Sequence, residues 1–394
     1  MAIDCAYYKN MDILVDGHIV NTINGYSSQH YYPHSLLDYA TAITKYIKNE
    51  IPHLPIIAVD CHDCYLCDFQ CKDCLASETK DWFKNKKGLF ADYKSDYAKL
   101  KQALRSIVDY SSSLGCNNVR FEMSGEGNPD LYPYRSELIK YAYSIGMEPV
   151  YISSGSAVDE SLCNTLVKYC HYIRISLPGI TNETYRLYSG QSRFQFTDAI
   201  DLLKKLVTLR KKYNRENELL IGARCCLRPE YVNEIGSVAS FLIDEIGVDS
   251  FQIVRAIVND PTMYNEEVFL IPLEVQESLA RLRIKKEIEL PNDCRTYYNY
   301  RKTVPSYNHM RCFSSEMMPI LYGQYLLPCT HTRIIKEIDS VGVDLSEEKI
   351  QPFNGVIQNC ETCCSINDNI IFNDIYYTVN NIVKSGKSPD FLCY

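Results

Sequence analysis

PIIAVDCHDCYLCDFQCKDC, Pro55 to Cys74, carries a short apolar run straight into five cysteines packed within fourteen residues, Cys61 to Cys74. The run reads as a β-strand, and the chain beyond it repeats the pattern. NVRFEM, EPVYIS, HYIRISL, LLIGARCCL and FQIVRAI are further short apolar runs. Between them lie stretches of helical periodicity: YAKLKQALRSIVDYSSSLG, RSELIKYAYSIG, DESLCNTLVKYC, FTDAIDLLKKLVTLRKKY and VNEIGSVASFLIDEIG. The first two close on Gly115 and Gly146, residues suited to the left-handed turn that stops a helix. Six strands alternating with helices predict an α/β protein with a parallel sheet and right-handed crossovers, either doubly wound or curved into a partial barrel. Both arrangements put chemistry at the carboxyl ends of the strands. The unusual segments fall there: the cysteines after the first strand, SGEGNP after the second, SSGS after the third and SLPG after the fourth.

Upstream, DILVDGHIV predicts a hairpin turning on Asp-Gly, and SLLDYATAITKYIKNE a helix capped by Ser35. Residues 1–54 read as an accessory segment, 55–260 as the α/β unit, 261–299 as a linker and 300–394 as a small second domain rich in Tyr, Cys and Pro.

With 394 residues, 46% of them hydrophobic, the chain can bury a large core. No run approaches the roughly 18 to 20 apolar residues of a membrane span. The start, MAIDCAYYKNMDILVDG, lacks the charged-then-apolar pattern of a secretory signal, so a cytoplasmic protein without a membrane partner is expected. A net charge of -8 speaks against wrapping nucleic acid through its phosphates. The one basic stretch, LKKLVTLRKKYNR from Leu203 to Arg215, reads as the solvated face of a helix.

Eighteen cysteines in a chain without a secretory signal favour metal or catalysis over disulfides. Cys67, Cys71 and Cys74 are spaced C-x3-C-x2-C. Three thiolates are one fewer than a closed site needs, so a cluster held there keeps one iron open to another ligand. A zinc ribbon would need a longer hairpin between its knuckles than the six residues separating Cys64 from Cys71. Cys61 and Cys64 read as structural.

CDFQCKDC after a first strand resembles the cluster motif of the radical S-adenosylmethionine enzymes, and the resemblance spans roughly residues 55 to 260. It implies a partial (β/α)6 TIM-like barrel holding a 4Fe-4S cluster on Cys67, Cys71 and Cys74, with S-adenosylmethionine on the open iron. MSGEGNPDLYP is similar to the family's glycine-rich segment, which places Ser124, Gly125, Glu126, Gly127 and Asn128 against the methionyl amino group. YISSGS, RISLPG and IGARCCL match later segments, implying cofactor contacts from Ser153, Ser154, Ser176 and Arg224. Two positions depart from the family: Asp73 stands where an aromatic is usual, and Asn128-Pro129 where Glu-Pro is usual. An amide still accepts from an amino group, with less charge assistance.

Cys312, Cys329, Cys360 and Cys363 supply four thiolates, enough for a closed 4Fe-4S or zinc site. CFSSEMMPILYGQYLLPC resembles the first half of the SPASM and twitch auxiliary-cluster domains. The further cysteine run of the longer SPASM form is not found, which implies one auxiliary 4Fe-4S cluster, with Cys364 as substitute for Cys363. Cys116, Cys163, Cys170, Cys225, Cys226 and Cys294 read as small buried hydrophobes; Cys226, on the fifth strand, is the candidate hydrogen donor to a substrate radical. His62, His171 and His331 lack paired spacing and read as ordinary residues.

The activity implied is cleavage of S-adenosylmethionine to a 5′-deoxyadenosyl radical that takes hydrogen from an unactivated carbon. A ribosomally made peptide is the first expected substrate, presented by a separate recognition protein, with flavodoxin or ferredoxin as electron donor. Oxidation or epimerisation of a sugar or aminocyclitol is the second, and a zinc-stabilised binding module is the reading from another class.

Overall fold

The computed structural model describes residues 12–15, 18–21, 35–62, 67–72, 74, 96–125, 127–255, 275, 287–289, 311–328, 342–353 and 366–385. Strands β1 (Asp12–Val15) and β2 (His18–Asn21) pair antiparallel with Val15 opposite His18. Helix α1 (Ser35–Ile47) comes next. The repeating unit then begins: β3 (Ala58–His62), α2 (Tyr97–Ser113), β4 (Arg120–Met123), α3 (Arg135–Ser144), β5 (Glu148–Ser153), α4 (Glu160–Tyr169) and β6 (Tyr172–Leu177). It continues with α5 (Asn182–Ser189), α6 (Phe196–Lys212), β7 (Leu220–Leu227), α7 (Ile235–Ser240, extended by a π-helical turn over Phe241–Ile246) and β8 (Ser250–Arg255). Helix α5 was not anticipated. Its sequence NETYRLYS is short and polar, but Thr181 and Thr184 form a reciprocal capping box that starts it and Gly190 stops it at φ +63°.

Strand order decides between the two arrangements open from sequence. The six parallel strands lie side by side in chain order, β3-β4-β5-β6-β7-β8, with no reversal. A doubly wound sheet must reverse its order at a switch point to place helices on both faces. Winding in one direction puts the helices on one face and curls the sheet, so the architecture is a partial TIM-like barrel. Side chains alternate across each strand. Val59, Phe121, Tyr151, Ile173, Ala223 and Ile253 point outward, into a core with Leu104, Leu138, Leu166 and Leu203 of the surrounding helices.

Four further strands extend the sheet. Strand β9 (Glu287–Glu289) pairs parallel with β8. After α8 (Phe313–Met317), strand β10 (Ile320–Tyr322) pairs parallel with β3, turns at Gly323 and returns as β11 (Tyr325–Leu327), which pairs with β12 (Val343–Asp344). The final helix α9 (Ile366–Ser385) packs against α1 in a second core of Tyr39, Ile43, Leu54, Phe313, Phe372 and Val379. Segments far apart in the chain thus close over the amino-terminal side of β3. Among the described residues, no helix is long and apolar enough to cross a membrane.

Candidate active site

The loop leaving β3 carries Cys67, Cys71 and Cys74, all half-buried. It is fastened to the C-terminal end of α5: Gln70 N–H donates to Ser189 O at 2.8 Å and Lys72 N–H to Tyr188 O at 3.1 Å. Phe69 anchors it below, 3% exposed and edge-on to Tyr185. Cys74 N–H donates to Cys71 O at 3.3 Å, tightening the turn between the last two thiols. Gly190 ends α5 so close to this loop that a Cβ there would stand 2.9 Å from Gln70 O.

The glycine-rich segment after β4 meets the same region. Gly125 adopts φ +115° and brings its backbone against His62, where a Cβ would lie 3.4 Å from the His62 Cα. Ser124 donates to Asp60, whose other oxygen accepts from His62 Nε2 at 3.0 Å. A carboxylate only accepts, so this fixes the proton on Nε2. Asn128, 3% exposed, ties three segments together. Its amide nitrogen lies 2.9 Å from Asp68 Oδ1, 3.0 Å from Ser154 Oγ and 2.8 Å from Ser156 Oγ. Two hydrogens are thus shared among three acceptors, while its carbonyl oxygen caps the turn at Asp130 N. Asn128 joins the cysteine loop to the loop after β5 rather than presenting its carbonyl outward.

The register aligns the remaining candidates on the inward face. Ser176 pairs with Arg224, Arg224 with Gln252 and Cys226 with Val254. Ser124, Ser154, Ser176, Arg224 and Cys226 are all half-buried at the carboxyl ends of their strands. Burial pushes the Cys226 thiol up, against the opposing pull of Arg224, which keeps it an S–H at neutral pH. Ser153 is placed differently: it is buried on the helix side, where its hydroxyl accepts from Gly155 N–H. Gly127 is half-buried. Glu126, Cys329, Cys360 and Cys363 lie outside the described residues, as do Cys64, Asp73, Cys294, His331 and Cys364; Cys312 is half-buried at the start of α8. Cys61, Cys163, Cys170 and Cys225 are fully buried in the helix-side core.

Sequence reading missed the floor of the barrel. Asp60 pairs with Glu122 across β3 and β4, and Arg120, Arg174 and Gln252 are buried alongside, with Arg174 Nη1 donating to Gln252 Oε1 at 2.7 Å. His62, set aside as ordinary, faces this site through Asp60, with Tyr322 of β10 beside it at 6.0 Å between rings. The signal was present: RFEM, IRISL, GARCC and FQIV each put a polar residue at alternate positions of an apolar strand.

Desolvation pushes the Glu122 carboxyl up to about 8, Asp60 adds to the rise, and Arg174, Arg120 and Arg224 offset only part of it. A carboxyl raised in the folded state binds its proton more tightly than the unfolded chain does. Its contribution is therefore full below the unfolded value of 4.5 and is lost as pH rises to about 8. The expected result is that Glu122→Gln melts increasingly above wild type between about pH 4.5 and pH 8, the window in which that loss falls. A gap that stays constant across that range would show that Glu122 titrates like an exposed carboxylate.

The donor set on the β3 loop suits a soft metal: three sulfurs, with the neighbouring Asp68 carboxylate turned to Asn128. Among the described residues no three Cys, His, Asp or Glu side chains are gathered as a single ion requires.

No protein-family model and no curated protein matches the sequence. Solved structures do match. Streptococcus suis SuiB aligns with a TM-score of 0.52 at 14% identity, over 83% of this chain and 72% of that one. SuiB bound to S-adenosylmethionine aligns at 0.53 and 13% identity, over 84% and 71% of the two chains. SuiB bound to its precursor peptide SuiA aligns at 0.53 and 14%, over 84% and 71%. The partial barrel is thus a fold this chain has in common with SuiB.

Proposed function

We propose that this chain is a radical S-adenosylmethionine enzyme that modifies a ribosomally made peptide, with a C-terminal auxiliary-cluster domain over residues 300–394. One observation carries the reading: three half-buried thiols sit on the loop leaving the first barrel strand, above an inward face lined by polar side chains. The fold in common with SuiB, solved with both S-adenosylmethionine and a precursor peptide, supports the cofactor and the substrate class.

Cys67, Cys71 and Cys74 would hold the cluster, and Ser124, Gly125, Glu126, Gly127, Ser154, Ser176 and Arg224 would line the cofactor. When bound, the pair supplies an electron and a 5′-deoxyadenosyl radical able to take hydrogen from an unactivated carbon. The chain's own part is placement. Asn128 fixes the height of the cysteine loop over the β5 loop, and Asp60 orients Ser124 and His62. Cys226 holds an S–H on the inward face, from which a hydrogen atom can be returned to a substrate radical. Cys312, Cys329, Cys360 and Cys363 are assigned to one auxiliary cluster, and flavodoxin or ferredoxin to electron supply. The buried Arg174, Glu122 and Gln252 also suit a hydroxylated substrate, which favours a sugar or aminocyclitol as the second reading.

Anaerobic reconstitution of the full chain is expected to give about eight irons, two four-iron clusters' worth, and reduction with S-adenosylmethionine is expected to release 5′-deoxyadenosine. Stoichiometric zinc without iron would overturn the enzyme reading in favour of a binding module. Co-expression with a short peptide encoded beside the gene is expected to change the peptide's mass. An unchanged peptide, with turnover of an aminocyclitol, would select the second reading.

A further inference from the structure

Arg228 directly follows the barrel strand β7, yet it is only 9% exposed. Its guanidinium carbon sits 3.5 Å from the centroid of the Tyr188 ring. Tyr188 is also the residue whose main-chain carbonyl accepts from Lys72 N–H, one position from Cys71. The ring that carries the guanidinium and the carbonyl that carries the cysteine loop therefore belong to one residue. Tyr188 is itself locked, its hydroxyl donating to Glu230 Oε1 at 2.5 Å. Burial pushes the Arg228 guanidinium down, and Tyr231, then Glu230 and least of all Cys71, pull against that shift.

Burying a guanidinium costs desolvation free energy, which a stacked aromatic face and nearby negative charge offset in part. Arginine keeps its charge across the working pH range. A cluster on three thiolates is negatively charged and gains one more negative charge on reduction. A fixed, half-desolvated cation packed behind the loop stabilises that reduced state, because charge and hydrogen bonding around the sulfurs are what a protein uses to set such potentials. Lys72 also approaches the Tyr188 ring, at 5.4 Å, but it is exposed, where water and salt screen it.

We propose that Arg228 is a positioning residue that tunes the cysteine-loop cluster, its charge held by Tyr188 behind the loop that carries Cys71 so as to raise the cluster's reduction potential. This rests on Cys67, Cys71 and Cys74 being the cluster ligands.

The test is an EPR-monitored redox titration of the anaerobically reconstituted full chain, following the reduced-cluster signal that shifts on adding S-adenosylmethionine. In Arg228→Met and Arg228→Gln the reduced-to-oxidised ratio at fixed potential is expected to fall about tenfold, which is 59 mV for a one-electron couple. Arg228→Lys should recover most of the difference, and Lys72→Met should move the midpoint far less. Neutral variants that hold iron at the wild-type midpoint would overturn the proposal, even if they bound S-adenosylmethionine more weakly. Loss of iron from both neutral variants would also overturn it, by making the charge a support for the loop. Failure of the underlying reading is separate: wild-type protein would then show no signal responsive to S-adenosylmethionine.

Discussion

Replacing Cys67, Cys71 or Cys74 singly by alanine is expected to lower release of 5′-deoxyadenosine by more than about a hundredfold, beyond the 10- to 100-fold cost of losing an outer-shell partner of a metal ligand. Each change removes a direct bond to the proposed cluster. Iron should fall by about four of the roughly eight per chain while the auxiliary set stays filled. Cys61→Ala is the informative control. Its thiol lies in the helix-side core at 0% exposure, so that variant should lose some stability and keep full iron and cleavage. The same iron loss from Cys61→Ala would mean that the division of the cysteine run is wrong. Wild-type cleavage from any of the three single variants would remove that residue from the ligand set.

The second large effect is expected from a residue that binds nothing. Gly190 has φ +63°, and a Cβ there would stand 2.9 Å from both the carbonyl oxygen and the Cβ of Gln70, midway along the cysteine loop. Gly190→Ala therefore carries two costs. The left-handed backbone costs about 1–2 kcal/mol in any L-residue, and the contact with Gln70 backbone has to be relieved by moving the loop. Gly146→Ala separates them, because Gly146 has φ +86° and nothing within 4 Å of the added Cβ. Gly146→Ala should lose a few degrees of melting temperature and Gly190→Ala at least as many, but only Gly190→Ala should lose iron, by at least about half. Equal iron in the two, measured after identical reconstitution, would show that the Gln70 contact does not set the position of the thiols.

These expectations draw on what was legible in the chain to different degrees. Six strands and five of the intervening helices follow from periodicities of 2 and 3.6 residues, which are local and survive without knowledge of the fold. Helix α5 did not show, because it is only eight residues long and its buried side, Tyr185 and Tyr188, is too short to mark a helical period. Helix α9 escaped for another reason: its buried face, Phe372, Ile375 and Val379, matters only once α1 is there to receive it. The glycine-rich segment was found by its place after β4, but the role of Asn128 was not. Its three acceptors come from positions 68, 154 and 156, which no local pattern joins.

By itself the sequence determined the alternation of strands and helices, the place of three cysteines after the first barrel strand, and the segments that crowd the carboxyl ends. Tertiary structure decided the rest. Strand order without a switch point made the sheet a partial barrel, and parallel register sent Ser154, Ser176, Arg224 and Cys226 inward while turning Ser153 toward the helices. It also set Asp60 beside Glu122, laid β10 along β3, and brought Arg228 over Tyr188 behind the cysteine loop. The physical reason is the range of the forces. Backbone periodicity is fixed by neighbours a few residues away, whereas the energy of a buried charge depends on which charges other strands place beside it.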